Sequence, residues 1–452
     1  MSATEQRATG LEKRGDADRG ARTTKTRRRT LRPVRMRRIA VVAPIDEFSD
    51  VLRAVGRDGC VDFHRAASDP AAGSAEAESL EHHVASAERR DGVAALAGWC
   101  PAERVRSLTA DVGAAGGSLV ALPMPPSADP PTLMSDSGRA YRSFSPLVRM
   151  YGTVPYADLD PTFLVGITYI LMFGVMFGDV GHGALIVAGA LLLRSGRIRA
   201  LSRIRHLWPF LLGAGVTGMA AGLLYGEFFG PTGIVPALWI RPLDQPLRLI
   251  GWAVGFGVLL LAAAYALGSV NRWREGGPRI ALYAVSGIAG ATVFCGAGVV
   301  AAGFLAHSLA LKIVGGALAG VGVWAAGLGL AARTPGGAAG GVQVGVGLFD
   351  LLTRILFNVI SFARLAAFGL THAALGSVVW QGTRGLAAHG PAAAACGVLL
   401  FVVGNAAAFA LEALVVGVQA MRLEYYELFS RIFEPEGRPF RPFRLPDRPP
   451  EG

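Results

Sequence analysis

The chain has 452 residues, of which 52% are apolar and only 17% charged, with a mean hydropathy of +0.41. Soluble domains average roughly 25% charged residues, so this composition excludes disorder and a small secreted scaffold, and it weighs against an ordinary soluble enzyme. The net charge of +11 is concentrated at the start, where residues 1–40 carry 13 Lys/Arg and 4 Asp/Glu. The basicity therefore belongs to an arm and not to a nucleic-acid-binding face. The run Lys25-Thr26-Arg27-Arg28-Arg29 has no interleaved aromatic side chain. A disordered basic arm over residues 1–37, facing anionic membrane lipids, is expected instead. It lacks the apolar core of a signal peptide, so a retained cytoplasmic N-terminus is expected. Cys60, Cys100, Cys295 and Cys396 form no CxxC pair, and none of Lys13, Lys25 and Lys312 follows a glycine. Neither a disulfide framework, a metal site, a cofactor nor a Walker A loop is expected.

A small α+β cytoplasmic domain is predicted over residues 38–122. Ile39–Ala43 reads as a buried strand closed by Pro44, and Phe48, Val51, Leu52 and Val55 recur at helical spacing up to a stop at Gly59. Cys60–Phe63 reads as a second strand and Ala75–Arg90 as a polar helix. Val93–Trp99, a helix opened by Pro101 with Val105, Leu108 and Val112 inward, and Ser118–Leu122 repeat the pattern. A linker over 123–160 opens with the Pro-rich stretch Pro123–Pro131.

A transmembrane domain is predicted over 161–433, with a cytoplasmic tail over 434–452. Its apolar segments, at about 162–178, 181–194, 208–226, 247–268, 280–303, 309–332, 350–380 and 392–425, mostly reach the ~20 residues needed to span a bilayer. The fold class is thus an α-helical polytopic membrane protein of about eight transmembrane helices. The last two are long and tilted. Arginines crowd the loops after the second segment (Arg194, Arg197, Arg199, Arg203, Arg205) and the fourth (Arg272, Arg274, Arg279). The C-terminal tail is equally basic, which places both termini in the cytoplasm.

A charge at bilayer centre costs at least about 2.5–3.5 kcal/mol, so ionisable residues inside the segments call for a reason. Arg364 lies near the middle of the seventh segment, too deep to reach water by extending its side chain. It faces a buried acid, a water-filled path or a structural ion-pair partner on a neighbouring helix. The eighth segment carries Glu412 and Arg422, separated by about 15 Å of rise and unable to pair with each other. His372 lies beyond Arg364 on the same side as Glu412 relative to the arginines, the layout of a half-channel that stops at a positive barrier. Asp179 is expected to cap a helix in the turn Gly178–Gly183, Glu227 to be interfacial, and Asp350 to pair with Arg354.

Several motifs occur in order: Tyr151-Gly152-Thr153-Val154-Pro155-Tyr156 with Leu159-Asp160-Pro161-Thr162; Met176-Phe177-Gly178-Asp179-Val180-Gly181-His182-Gly183; Leu224-Tyr225-Gly226-Glu227-Phe228-Phe229-Gly230. Ser361-Phe362-Ala363-Arg364-Leu365, Leu411-Glu412-Ala413, Met421-Arg422-Leu423, Phe429-Ser430-Arg431-Ile432-Phe433 and Phe440-Arg441-Pro442-Phe443 follow. From about Arg38 to Phe443 the chain resembles the membrane-sector subunit a (subunit I) of the V-type/A-type rotary ATPases. The resemblance implies a non-hydrolytic stator subunit that forms ion half-channels against a proteolipid c-ring. Proton (or sodium) movement would thereby couple to ATP hydrolysis or synthesis elsewhere in the complex. It matches Arg364 to the arginine that separates the half-channels, Arg422 to a second arginine, and Glu412 and His372 to the ion path. Central-stalk and peripheral-stalk subunits are the implied partners. The family's long cytoplasmic coiled coil has no room between Arg65 and Arg90, which puts the usual stalk contact in question. The alternatives are a stand-alone secondary transporter or channel, for which no internal repeat is visible, and a non-translocating assembly scaffold of the same fold.

Overall fold

The computed structural model describes residues 32–63, 80–125, 128–134, 138–433 and 437–445. Residues 1–31 of the expected basic arm lie outside these, as do Ala75–Ser79 of the expected polar helix and residues 434–436 and 446–452 of the expected tail.

In the α+β domain, β1 (Met36–Pro44) lies between β4 (Val93–Pro101) and β5 (Ser118–Ala121), antiparallel to both, with Ile39 opposite Gly98 and Ala121. β2 (Asp62–Phe63) and β3 (Glu88–Arg90) both pair with β4. Ile39, Val41 and Ala43 are buried with the apolar stripes of α1 (Phe48–Asp58) and α3 (Val105–Ala114), chiefly Phe48, Val51, Leu52, Leu108 and Val112. Gly59 stops α1 in the left-handed region, as its position implied. The polar helix expected up to Arg90 is confined, among the described residues, to α2 (Leu80–Ala85). Asp91 and Gly92 take φ of 52° and 79° and return β3 onto β4, since a two-residue Asp-Gly loop favours a tight hairpin.

α4 (Arg139–Tyr151) leads to nine apolar helices: α5 (Thr162–Phe177), α6 (Val180–Ser195), α7 (Trp208–Tyr225), α8 (Pro246–Tyr283), α9 (Ile288–Leu305), α10 (Leu309–Ala331), α11 (Ala338–Ser361), α12 (Ala363–Ala387) and α13 (Pro391–Leu423). Six helical stretches among the described residues are long and apolar enough to cross a membrane, with α11 and α12 forming one stretch of 50 residues; α5 and α6 are shorter apolar helices. The chain is therefore a helical polytopic membrane protein with a small N-terminal α+β region. Two boundaries differ from expectation. α8 continues through Arg272 and Arg274 and kinks at Gly276-Gly277 before Pro278, so those arginines are helical and the next apolar helix begins at Ile288. The seventh segment starts at Ala338 and breaks at Phe362, making Arg364 the second residue of α12.

Glycines bring the helix backbones close, as suits a medium in which apolar surface gives no drive to associate. A Cβ on Gly222 of α7 would lie 2.4 Å from Val180 N on α6, and one on Gly296 of α9 would lie 2.4 Å from Ala319 N on α10. The buried Asn271 of α8 ties three chain segments together. Its Oδ1 accepts from Leu159 N at 3.0 Å and its Nδ2 donates to Ile432 O at 3.0 Å. Beside it, burial and the neighbouring Glu275 carboxylate push the Asp158 carboxyl up to about 8, against the opposing pull of Arg272 and Arg274.

After α13 the chain returns to the α+β domain. Gly437 N donates to Thr153 O at 3.1 Å, Thr132 N to Arg438 O at 2.7 Å and Phe443 N to Val61 O at 2.7 Å. Arg438 Nη2 reaches Asp62 Oδ1 at 3.1 Å. Phe443, 3% exposed, completes the core of the domain, with its ring 4.5 Å from that of His83.

Candidate functional site

The turn between α5 and α6 is built around Asp179. It caps α6, as anticipated: Oδ1 accepts from His182 N at 2.9 Å and from Phe229 N at 3.1 Å, while Oδ2 accepts from Gly230 N at 3.0 Å. These bonds fix the carboxylate at the end of a helix pair of 16 residues each, or about 24 Å per arm. Such arms are shorter than the ~30 Å hydrocarbon core.

Two further helices bring their ionisable residues to this turn. His372 of α12 places Nε2 3.6 Å from Asp179 Oδ2, and its Nδ1 is hydrogen-bonded to Glu412 Oε2 of the antiparallel α13. His182 lies one turn into α6, with Nδ1 4.0 Å from Asp179 Oδ1 and its ring 5.5 Å from that of His372. Exposure is 0% for Asp179, 2% for His182, 5% for His372 and 6% for Glu412. Phe177, Phe229 and Phe409 wall the cluster. Glu227, expected at an interface, is instead buried and close enough to Asp179 and His372 to feel their charge. Glu412, His372 and Asp179 thus make a carboxylate–imidazole–carboxylate chain. An imidazole hydrogen-bonded to one carboxylate and facing a second at 3.6 Å can take a proton on one nitrogen and release it from the other.

Of the four site residues expected from sequence, the structure joins His372 to Glu412 and leaves Arg364 and Arg422 at a second level. Arg364 is about 12 Å along α12 from His372. Both arginines lie close enough to act on Glu427, which sits in the π-helical turn Glu424–Phe429 after α13 and also neighbours Ser361 at the end of α11. Arg364 Nη1 is buried without a hydrogen-bond partner among the described residues, whereas Arg422 is exposed. The buried Glu424 accepts the Thr168 hydroxyl of α5 at 2.9 Å. Asp350 and Arg354 pair at 2.7 Å on the outer face of α11, as their spacing implied.

Asp179, His182, Glu424 and Glu427 were not singled out as site residues. The first two carried the same signal as His372, an ionisable group in an apolar stretch, but the glycines around them pointed to a turn. Glu424 closes the expected eighth segment and Glu427 lies just past it, where the apolar run ends and hydropathy marks little.

Fold and site together define a class: a polytopic helical membrane protein whose helices bury an ionisable cluster at one level and hold two arginines beside a glutamate at another. Residues 83–234 match the model of the V-type ATPase 116 kDa subunit family. The chain is 39% identical over 143 residues to V-type ATP synthase subunit I 2 of Treponema pallidum, covering 30% of this chain and 32% of that protein. It is 27% identical over 321 residues to A-type ATP synthase subunit I of Pyrococcus horikoshii (66% of this chain, 45% of that protein). Against the corresponding subunit of Archaeoglobus fulgidus it is 26% identical over 408 residues (77% and 58%). The chain is thus similar to subunit I of the V/A-type ATP synthases, and it spans about half the length of the curated relatives it matches.

Proposed function

We propose that this chain is the ion-translocating stator subunit of a rotary V/A-type ATPase, with α12 and α13 facing a ring of proteolipid c subunits. The observation that carries this reading is the separation of two polar levels by Arg364. On one side lie Asp179, His182, His372 and Glu412; on the other lie Glu427 and Glu424. An ion arriving through either level meets the positive guanidinium of Arg364. That charge favours the ionised form of an approaching ring carboxylate and blocks direct passage between levels. The surfaces of α12 and α13 support the placement of the ring, because Val378, Leu411, Leu414 and Val418 are exposed. The chain itself hydrolyses no nucleotide in this scheme. The catalytic head and the stalk subunits supply that part, and the arginines between the second and third apolar helices support a cytoplasmic position for both termini.

The test is ATP-driven acidification of inverted membrane vesicles carrying Arg364→Ala, with assembly of the complex checked in parallel. Loss of acidification with assembly intact supports the stator reading. Unchanged acidification refutes it and favours a scaffold that keeps the fold without the transport.

A further inference from the structure

The buried cluster at the α5–α6 turn has a second capacity. Asp179, His182 and His372 each present one ligand atom, and the three atoms lie within 4.8 Å of one another with all three residues buried. Two imidazoles and a carboxylate form a donor set that suits zinc and its neighbours and disfavours calcium and magnesium, which prefer oxygen throughout. Donors about 2.0–2.1 Å from a tetrahedral metal stand roughly 3.4 Å apart. His372 Nε2 stands 3.6 Å from Asp179 Oδ2 and His182 Nδ1 stands 4.0 Å from the other carboxylate oxygen, so closing the three donors onto an ion takes side-chain movements of about 1 Å.

The surroundings point the same way. Both ring nitrogens of His182 and Nε2 of His372 are buried without a hydrogen-bond partner among the described residues. Unsatisfied buried nitrogens of this kind are uncommon and call for a ligand. The Nδ1 of His372 is engaged by Glu412, which orients the ring and leaves Nε2 toward Asp179. A carboxylate behind an imidazole in this way is the usual support of a metal-bound histidine. Asp179 is held by backbone N–H groups before any ion arrives, and its Oδ2 accepts only Gly230 N among them, keeping a lone pair for a metal. Glu227, whose Oε2 is also buried and unpartnered, stands nearby as a further oxygen.

We propose that Asp179, His182 and His372 bind a transition-metal dication of the zinc class, with Glu412 orienting His372. Occupation takes the free nitrogen of His372 out of the carboxylate–imidazole chain, so such an ion closes that level of the path. This consequence rests on the function proposed above; the site itself does not.

The experiment is a titration of the full-length, tag-free protein in detergent with Co²⁺ as a spectroscopic probe, followed by Zn²⁺ as competitor. Wild type is expected to bind one Co²⁺ per chain with the visible absorption of a low-coordinate site, and to lose that absorption to Zn²⁺. His182→Ala is expected to weaken binding at least tenfold. His182→Cys is expected to bind with an added thiolate-to-cobalt charge-transfer band, which keeps the test decisive if the alanine variant fails to fold. Absence of saturable binding by wild type overturns the proposal. So does His182→Ala binding as tightly as wild type, or His182→Cys binding cobalt without the new band. An Arg364→Ala complex that still pumps would refute the stator reading and leave this titration unaffected.

Discussion

Replacing Asn271 by alanine is expected to loosen the junction between the membrane helices and the segments on either side of them. The side chain is fully buried and serves one backbone donor, Leu159 N, and one backbone acceptor, Ile432 O, both at 3.0 Å. Alanine leaves both orphaned, at about 1–3 kcal/mol each, so the expected loss is about 2–6 kcal/mol. Asn271→Asp divides that sum, because it retains an acceptor for Leu159 N–H and loses the donor to Ile432. It should fall between wild type and Asn271→Ala unless the new charge beside Asp158 adds its own cost. The measurement is thermal unfolding of the purified protein in detergent, together with protease cleavage between residues 152 and 161 and after residue 433. Unfolding within about 0.5 kcal/mol of wild type, the range of an ordinary surface substitution, would refute the reasoning.

Asp158 gives a pH dependence of defined sign. Its folded value of about 8 lies above the unfolded value near 3.9, so its contribution is fully present below about pH 4 and is lost as pH rises through about 8. Stability should therefore fall across that window, and unfolding curves of Asp158→Asn should show a shallower slope; an unchanged slope would assign the effect to other groups. Gly222→Val is expected to push α6 and α7 apart by placing a side chain against the Val180 and Asp179 backbone, at a cost of about 1–3 kcal/mol or more, read as a lowered unfolding temperature. Cys60 and Cys100 are buried with their sulfurs 3.7 Å apart, and the neighbouring Cys100 thiol together with burial pushes Cys60 up. A maleimide should therefore label only Cys295 and Cys396, the exposed pair, until the α+β domain is unfolded; early labelling of Cys60 would contradict its placement. Phe443→Ala should release the C-terminal segment from the domain core at about 3–5 kcal/mol, seen as faster proteolysis of residues 437–445.

Periodicity made the α+β domain and the apolar helices legible, because both depend on patterns within one stretch of chain. Ile39–Ala43 and the Phe48–Val55 stripe declare their buried faces directly, and Gly59 declares its stop. β3 was missed because Glu88-Arg89-Arg90 is wholly exposed and has no apolar alternation to betray a strand, although Asp91-Gly92 carried the turn signal. The break at Phe362 has neither glycine nor proline to mark it; the buried ring wedges against Gly257 of α8, a contact invisible in the local sequence. The site divides in the same way. His372, Glu412, Arg364 and Arg422 stand out as ionisable residues in apolar helices. That His372 would meet Asp179 as well as Glu412 follows only from how α5, α6, α12 and α13 pack.

Residues 437–443 of the C-terminal segment bond Thr153, Thr132 and Val61 in turn, which gives the α+β domain a second attachment besides the linker that leads into α4. A body hung from a single strand of chain can swivel about it, and a twisting load is dissipated in that swivel. A second attachment at a distance from the first turns the pair into a torsional brace: twist can be relieved only by stretching or tearing hydrogen bonds along residues 437–445. Stiffness of this kind is set by where the chain is fastened, more than by the size of the domain it fastens.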